Sequence, residues 1–133
     1  MNKKQENLIK AITIIDYVFA AIFIFVAALS LLGGSVLASI GGSSMISNFL
    51  PKGILSGMIG GILIVLALGL ATLGVLYFYL AKGIASKKYW AKVVQIIVAI
   101  IVHLFSFPIG TAVAAFELYV LLINEKTKNV FKK

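Results

Sequence analysis

Three titratable side chains stand inside long apolar runs: Asp16, His103 and Glu117. An ionisable group at that depth costs at least about 2.5–3.5 kcal/mol on insertion scales, so it must face protein or water. Two such carboxylates could build a proton- or cation-coupled site, and a lone histidine could relay protons. A structural role competes with each. The acids could be held neutral within the protein, or paired with Lys10, Lys82 or Lys92, or with Tyr77, Tyr79 or Tyr119. His103 could simply bond a neighbouring helix or headgroup water. Asp16 lies six residues beyond Lys10, roughly 9 Å along a helix axis. Glu117 lies seven residues before Asn124, which predicts a similar depth. His103, with Gln95 and Ser106 on a related face, is expected towards the other end, too far along the axis to touch either acid.

Spacing predicts where these groups point. At about 100° per residue, Asp16 shares a helix face with Ala20, Ala27 and Gly34, and Glu117 shares one with Gly110 and Ala114. Small residues let helices approach closely, so both acids are expected to face the protein interior. A further series, Gly53, Gly57 and Gly61, makes two overlapping small-xxx-small steps. It reads either as packing within one chain or as a seam for a second copy or another membrane protein.

The elements that must carry these residues follow from hydropathy. Of 133 residues, 62% are hydrophobic and 12% charged, with a mean hydropathy of +1.12. A soluble domain carries roughly 45–50% apolar and about 25% charged residues. That excludes a soluble globular protein, and also a disordered one. The first apolar run, Ala11–Leu32, can span a hydrocarbon core as a helix and has room to continue to about Ile40. It is longer than the roughly 7–15 apolar residues of a signal peptide and contains Asp16, so it reads as a retained helix. Residues 33–53 form a Gly/Ser-rich connection in which Met45–Leu50 could lie along the surface, stopped by Pro51. The second run is Ile54–Leu80. The third, Val93–Ile123, is too long for one span and is broken at Phe107-Pro108-Ile109-Gly110. The predicted fold is therefore an all-α integral membrane protein. It is a single-domain four-transmembrane-helix bundle with helices at about 9–32, 54–80, 91–106 and 108–124, the last two forming a tight hairpin.

Charge placement fits four spans. All 12 basic residues are lysines. With four spans, both termini and the link carrying Lys82, Lys87, Lys88 and Lys92 share one side, and only Lys52 lies opposite. The positive-inside rule then places both termini in the cytoplasm of a multi-pass cell-membrane protein. Those four lysines and Trp90 read as interface anchors, with the bilayer and anionic lipids as partners. Lysines at the ends of apolar runs do not indicate nucleic acid. The chain has no cysteine, so disulfides and thiol chemistry are excluded. No phosphate loop or nucleophile elbow is present, and no enzyme activity, metal or cofactor is implied.

The stretch Phe107–Phe131 resembles the ending of a family of uncharacterised small four-helix membrane proteins of prokaryotes. The resemblance rests on Phe107-Pro108-Ile109-Gly110-Thr111, Tyr119, Leu121-Leu122, Glu125, Lys126 and Phe131. It implies the hairpin and a cytoplasmic end, and it brings no activity. A second resemblance is to small multidrug-resistance transporters, which are similar in size, have four helices and carry an acid in the first helix. Asp16 stands where they have Glu. Two functions are therefore expected in competition. One is a helix-packing accessory or scaffolding subunit that pairs with itself or with a larger membrane protein. The other is a dimeric proton-coupled transporter of a small molecule or ion, with Asp16 as the binding carboxylate.

Overall fold

The computed structural model describes residues 3–40, 52–103 and 108–131, and these are helical with no strand among them. Helix α1 is Lys3–Ile40 and α2 is Lys52–Ala85. Helix α3, Tyr89–Val98, continues as a π-helical turn over Ala99–His103. Helix α4, Ile109–Leu118, likewise continues as a π-helical turn over Tyr119–Ile123, and a short α5 covers Glu125–Lys128. Two stretches, Lys3–Val36 and Gly57–Ala85, are long and apolar enough to cross a membrane. Tyr89–His103 and Ile109–Ile123 are apolar but shorter.

Helix α1 starts before its expected bound and ends at Ile40, the expected limit of its continuation, and α2 overruns its expected end. At its start α1 takes in residues 3–8, where Glu6 pairs with Lys10 one turn on at 2.9 Å, a spacing that supports a helix. At its other end it continues through Gly33 and Gly34. A Cβ on Gly34 would come within 3.0 Å of Leu63, so glycine there admits a close neighbour. Helix α2 reaches Ala85, because Ala81–Ala85 contains no breaker beyond Gly83. The expected 12-residue link shrinks to residues 86–88. There Lys88 N–H donates to Gly83 C=O and Lys87 N–H donates to Ile84 C=O, both at 2.9 Å. Lys87 has φ 55°. This is a Schellman cap in which lysine occupies the left-handed position usually filled by glycine. Gly83 is the glycine the turn needs: a Cβ on it would lie 2.5 Å from the Ala91 Cβ and 2.9 Å from the Trp90 ring.

The expected extension of helix three to 106, Ser106, Phe107, Pro51 and the 45–50 surface turn lie outside the described residues. Pro108 is the N-cap of α4 rather than its first residue.

The chain forms two compact units. Residues 19–76 make an apolar one. Its interior is lined by small residues, with Ala20, Ala27 and Ala67 buried. A Cβ on Gly74 would meet Ile24 Cγ1 at 2.6 Å and Ala20 C=O at 3.2 Å. Its large apolar side chains, such as Phe25, Leu32 and Val65, are exposed.

Residues 1–18 with 77–133 make the other unit. Each helix gives it one buried stripe at three- and four-residue spacing: Ile9, Ile12 and Asp16; Tyr77, Leu80, Ala81 and Ile84; Ala91, Lys92, Gln95, Val98 and Ala99; Ala114, Glu117, Val120 and Leu121. The C-terminal segment closes on it. Asn124 caps α5 by accepting from Thr127 N–H at 3.2 Å, and Thr127 and Phe131 are buried.

Candidate functional site

Polar residues interrupt all four stripes of the second unit, and the fold brings them together. Asp16 comes from α1, Tyr77 from α2, Gln95 from α3, His103 from the π-turn that ends it, and Glu117 from α4. All five are at most 1% exposed. Gln95 Nε2 donates to Asp16 Oδ1 at 2.8 Å and to Glu117 Oε1 at 3.0 Å. His103 Nδ1 is hydrogen-bonded to the second Glu117 oxygen, Oε2, at 2.9 Å. The far nitrogen of the same ring, Nε2, lies 2.7 Å from the Tyr77 hydroxyl, and the two rings stack with centroids 5.6 Å apart. One continuous hydrogen-bonded chain thus runs from Asp16 through Gln95, Glu117 and His103 to Tyr77.

This corrects one expectation. His103 was placed too far along the axis to reach either acid, and it is bonded directly to Glu117. The π-turn that carries His103 packs directly against α4, which carries Glu117, so the two side chains are level.

The π-turn supplies the remaining alignment. Eight residues of α-helix turn through about 800°, which would put His103 some 80° away from Gln95 around the axis. A π-turn takes up about one extra residue. The interval then behaves like seven α-helical residues, about 700°, and the two side chains share a face. Glu117, with one oxygen for each, joins them.

The inward orientation expected for Asp16 and Glu117 is what the structure has, and Gly110 and Ala114 are buried on the Glu117 face. Of the tyrosines considered as partners, Tyr77 belongs to the chain of bonds, while Tyr79 and Tyr119 are exposed. Gln95 is the residue sequence reasoning undervalued, since it bridges both acids. Its signal was available: a buried amide is rare in an apolar run and needs two acceptors for its two N–H groups.

Charge balance governs what this arrangement can do. Buried charge must be matched, because an isolated one is costly in a low-dielectric interior. A single histidine can offset at most one of the two acids. Glu117 has a hydrogen-bond partner on each oxygen. Asp16 does not: its Oδ2 is buried and has no hydrogen-bond partner among the described residues, and the same holds for Gln95 Oε1. Among the described residues no three His, Asp or Glu side chains are grouped to hold a metal ion.

The other residues singled out from sequence behave differently. Gly57 and Gly61 have open space where a Cβ would stand. They line a shallow groove of about 390 Å³ with Met58, Ile62 and Val65. Gly53 lies in α2. Lys82 is exposed and sits over the Phe78 ring at 4.8 Å, and Lys88 and Trp90 are also exposed. Lys92 departs from the expected rim position. It is only 8% exposed, with its ammonium 5.9 Å from the Phe131 ring, because the C-terminal segment folds back over it. Lys10 and Lys87 border a cleft of about 360 Å³ whose walls include Ile9, Thr13, Ile14 and Tyr17.

Comparison with known proteins finds no matching family model, no matching curated protein and no matching solved structure.

Proposed function

We propose that this chain is a membrane-embedded, proton-coupled transporter of a small molecule or ion, with Asp16 as the carboxylate that takes and releases the coupling proton. The observation that carries this reading is the buried chain of five polar side chains ending at a bare Asp16 oxygen. Intramembrane ionisable residues that face one another mark proton and ion pathways.

The reading includes four spans, with both termini and the 86–88 turn on the cytoplasmic side, supported by the distribution of lysines. At that rim a cleft is bordered by Lys87 and by the Lys10–Glu6 ion pair, a net charge of one. The test is proton flux into vesicles reconstituted with the pure protein and supplied with a panel of alkali cations, organic cations and small organic anions, with a pH gradient imposed and the membrane potential clamped. Wild-type protein should carry protons and D16N should not, while both remain folded by circular dichroism. Equal flux from the two would end the proposal.

A second reading, a helix-packing accessory or scaffolding subunit, draws on the other unit. The open Gly57/Gly61 groove offers close approach to another helix. Mass spectrometry of the assembly released intact from native membranes tests it. A different membrane protein at fixed ratio supports it, and a strict monomer opposes it.

A further inference from the structure

The Gln95 side-chain amide has two N–H groups, and both are used: one donates to Asp16 Oδ1 and the other to Glu117 Oε1. A primary amide is planar, and one of its hydrogens lies on the same side as the carbonyl oxygen. The carboxyl group that accepts that hydrogen turns its second oxygen towards the amide oxygen. The second oxygen of Glu117 is occupied by His103 Nδ1. The second oxygen of Asp16, Oδ2, is bare, and so is Gln95 Oε1. Both atoms are acceptors as they stand, both belong to fully buried side chains, and the two side chains are already joined by a 2.8 Å bond.

Two acceptors repel when a shared bond brings them together, whereas one hydrogen between them satisfies both. We infer that Asp16 and Gln95 form a carboxylic acid–carboxamide pair, in which Gln95 Nε2–H donates to Asp16 Oδ1 and a proton carried on Asp16 Oδ2 donates to Gln95 Oε1. This deepens the transport reading and rests on it for its purpose: it says where the coupling proton sits and what it leaves behind when it goes. Loss of the proton puts a bare carboxylate oxygen against a bare carbonyl oxygen, so the Gln95 amide has reason to rotate. Its other N–H is the bond to Glu117, so the rotation is passed to the Glu117–His103–Tyr77 arm. Gln95 is then a positioning residue that couples the two acids.

Among the described residues, the titratable groups near the pair on the neighbouring elements have partners of their own. Glu117 from α4 already has its partners, His103 from the end of α3 lies on the far side of Glu117, and Tyr77 from α2 is beyond His103. Lys92, one turn before Gln95 on α3, is turned to the Phe131 ring.

Infrared spectroscopy of the full chain in lipid vesicles at neutral pH tests the pair, because a protonated carboxylic acid has a carbonyl band apart from those of carboxylates and amides. The wild type should show that band in both sodium and choline buffers. D16N should lose it and still fold, since asparagine can give an N–H to Gln95 Oε1 in place of the acid proton. E117Q should keep it. Q95L should keep it but shift it to higher frequency, because both hydrogen bonds to the acid are gone. No band in the wild type overturns the inference. So does a band lost in E117Q instead of D16N, which puts the proton on Glu117. A band seen in choline and abolished by sodium also overturns it, because the seat would then belong to a metal cation. Flux in the same vesicles separates the two claims. A band of the expected kind without proton flux refutes transport and leaves the pair standing, while flux without the band does the reverse.

Discussion

The two compact units of this protein are held together by opposite means. Among its described residues, the unit of residues 19–76 buries small residues and no charged group: Ala20, Ala27 and Ala67 are buried, Gly74 admits Ile24, and many large apolar side chains are exposed. Residues 1–18 with 77–133 bury Asp16, Gln95, His103 and Glu117 among Ile12, Leu80, Ile84 and Leu121. The first arrangement suits a solvent of hydrocarbon, where apolar surface gains nothing by hiding and close contact is the main source of attraction. The second spends its interior on groups that must be matched atom for atom. The difference teaches where specificity lies. Alanine and glycine stripes tolerate exchange within a size limit, whereas a bonded polar chain fails when one member is lost.

The largest effect should come from breaking that chain. Glu117→Leu removes the hydrogen-bond partner of two buried side chains and should destabilise by about 3–5 kcal/mol, read as a lowered midpoint of thermal unfolding in detergent. A loss below about 1 kcal/mol would mean the chain is not a stabilising feature. In the apolar unit Gly74→Val forces a side chain into space held by Ile24 and the Ala20 carbonyl, and should cost about 1–3 kcal/mol. Gly74→Ser should be milder in the same assay, because the clash scales with size.

Smaller effects sharpen the contrast. Tyr77→Phe takes the hydroxyl from His103 and should cost about 0.5–1.5 kcal/mol; nitrogen-15 spectra should show the change at His103 Nε2 and not at Nδ1. Lys87→Gly relieves a left-handed lysine and should gain up to about 1 kcal/mol. Gly57→Ala with Gly61→Ala should stabilise by about 0.5–1 kcal/mol per site, since nothing lies within reach of the added Cβ and alanine is the better helix former. A drop in self-association measured by sedimentation would then mark that face as an interface.

Much of this was legible in the residues. Hydropathy located the apolar helices, and the small-residue periodicity around Asp16 and Glu117 gave their inward direction. What could not be read was the partnership. Asp16 and Gln95 are 79 positions apart, and no local pattern links them. The His103–Glu117 contact was not legible because depth was counted along each helix separately, and no local pattern fixes the stagger of two helices. The end of α2 was placed short for a different reason: Lys87 caps α2 in a conformation normally signalled by glycine, so the stop signal was missing. The burial of Lys92 depends on a segment too polar to look like part of a core, which is anchored by Thr127 and Phe131.

The π-turn at Ala99–His103 also bears on how this chain should be compared with others. A wide turn is what remains when one residue is inserted into a regular helix and the flanking structure is kept. A relative that lacks the insertion would carry its histidine one place earlier, on the same face and against the same acid. Aligned column by column without a gap, the two histidines would miss each other, and a shared feature would be scored as a difference. The gap belongs between residues 99 and 103, inside a helix, where alignment methods penalise it most.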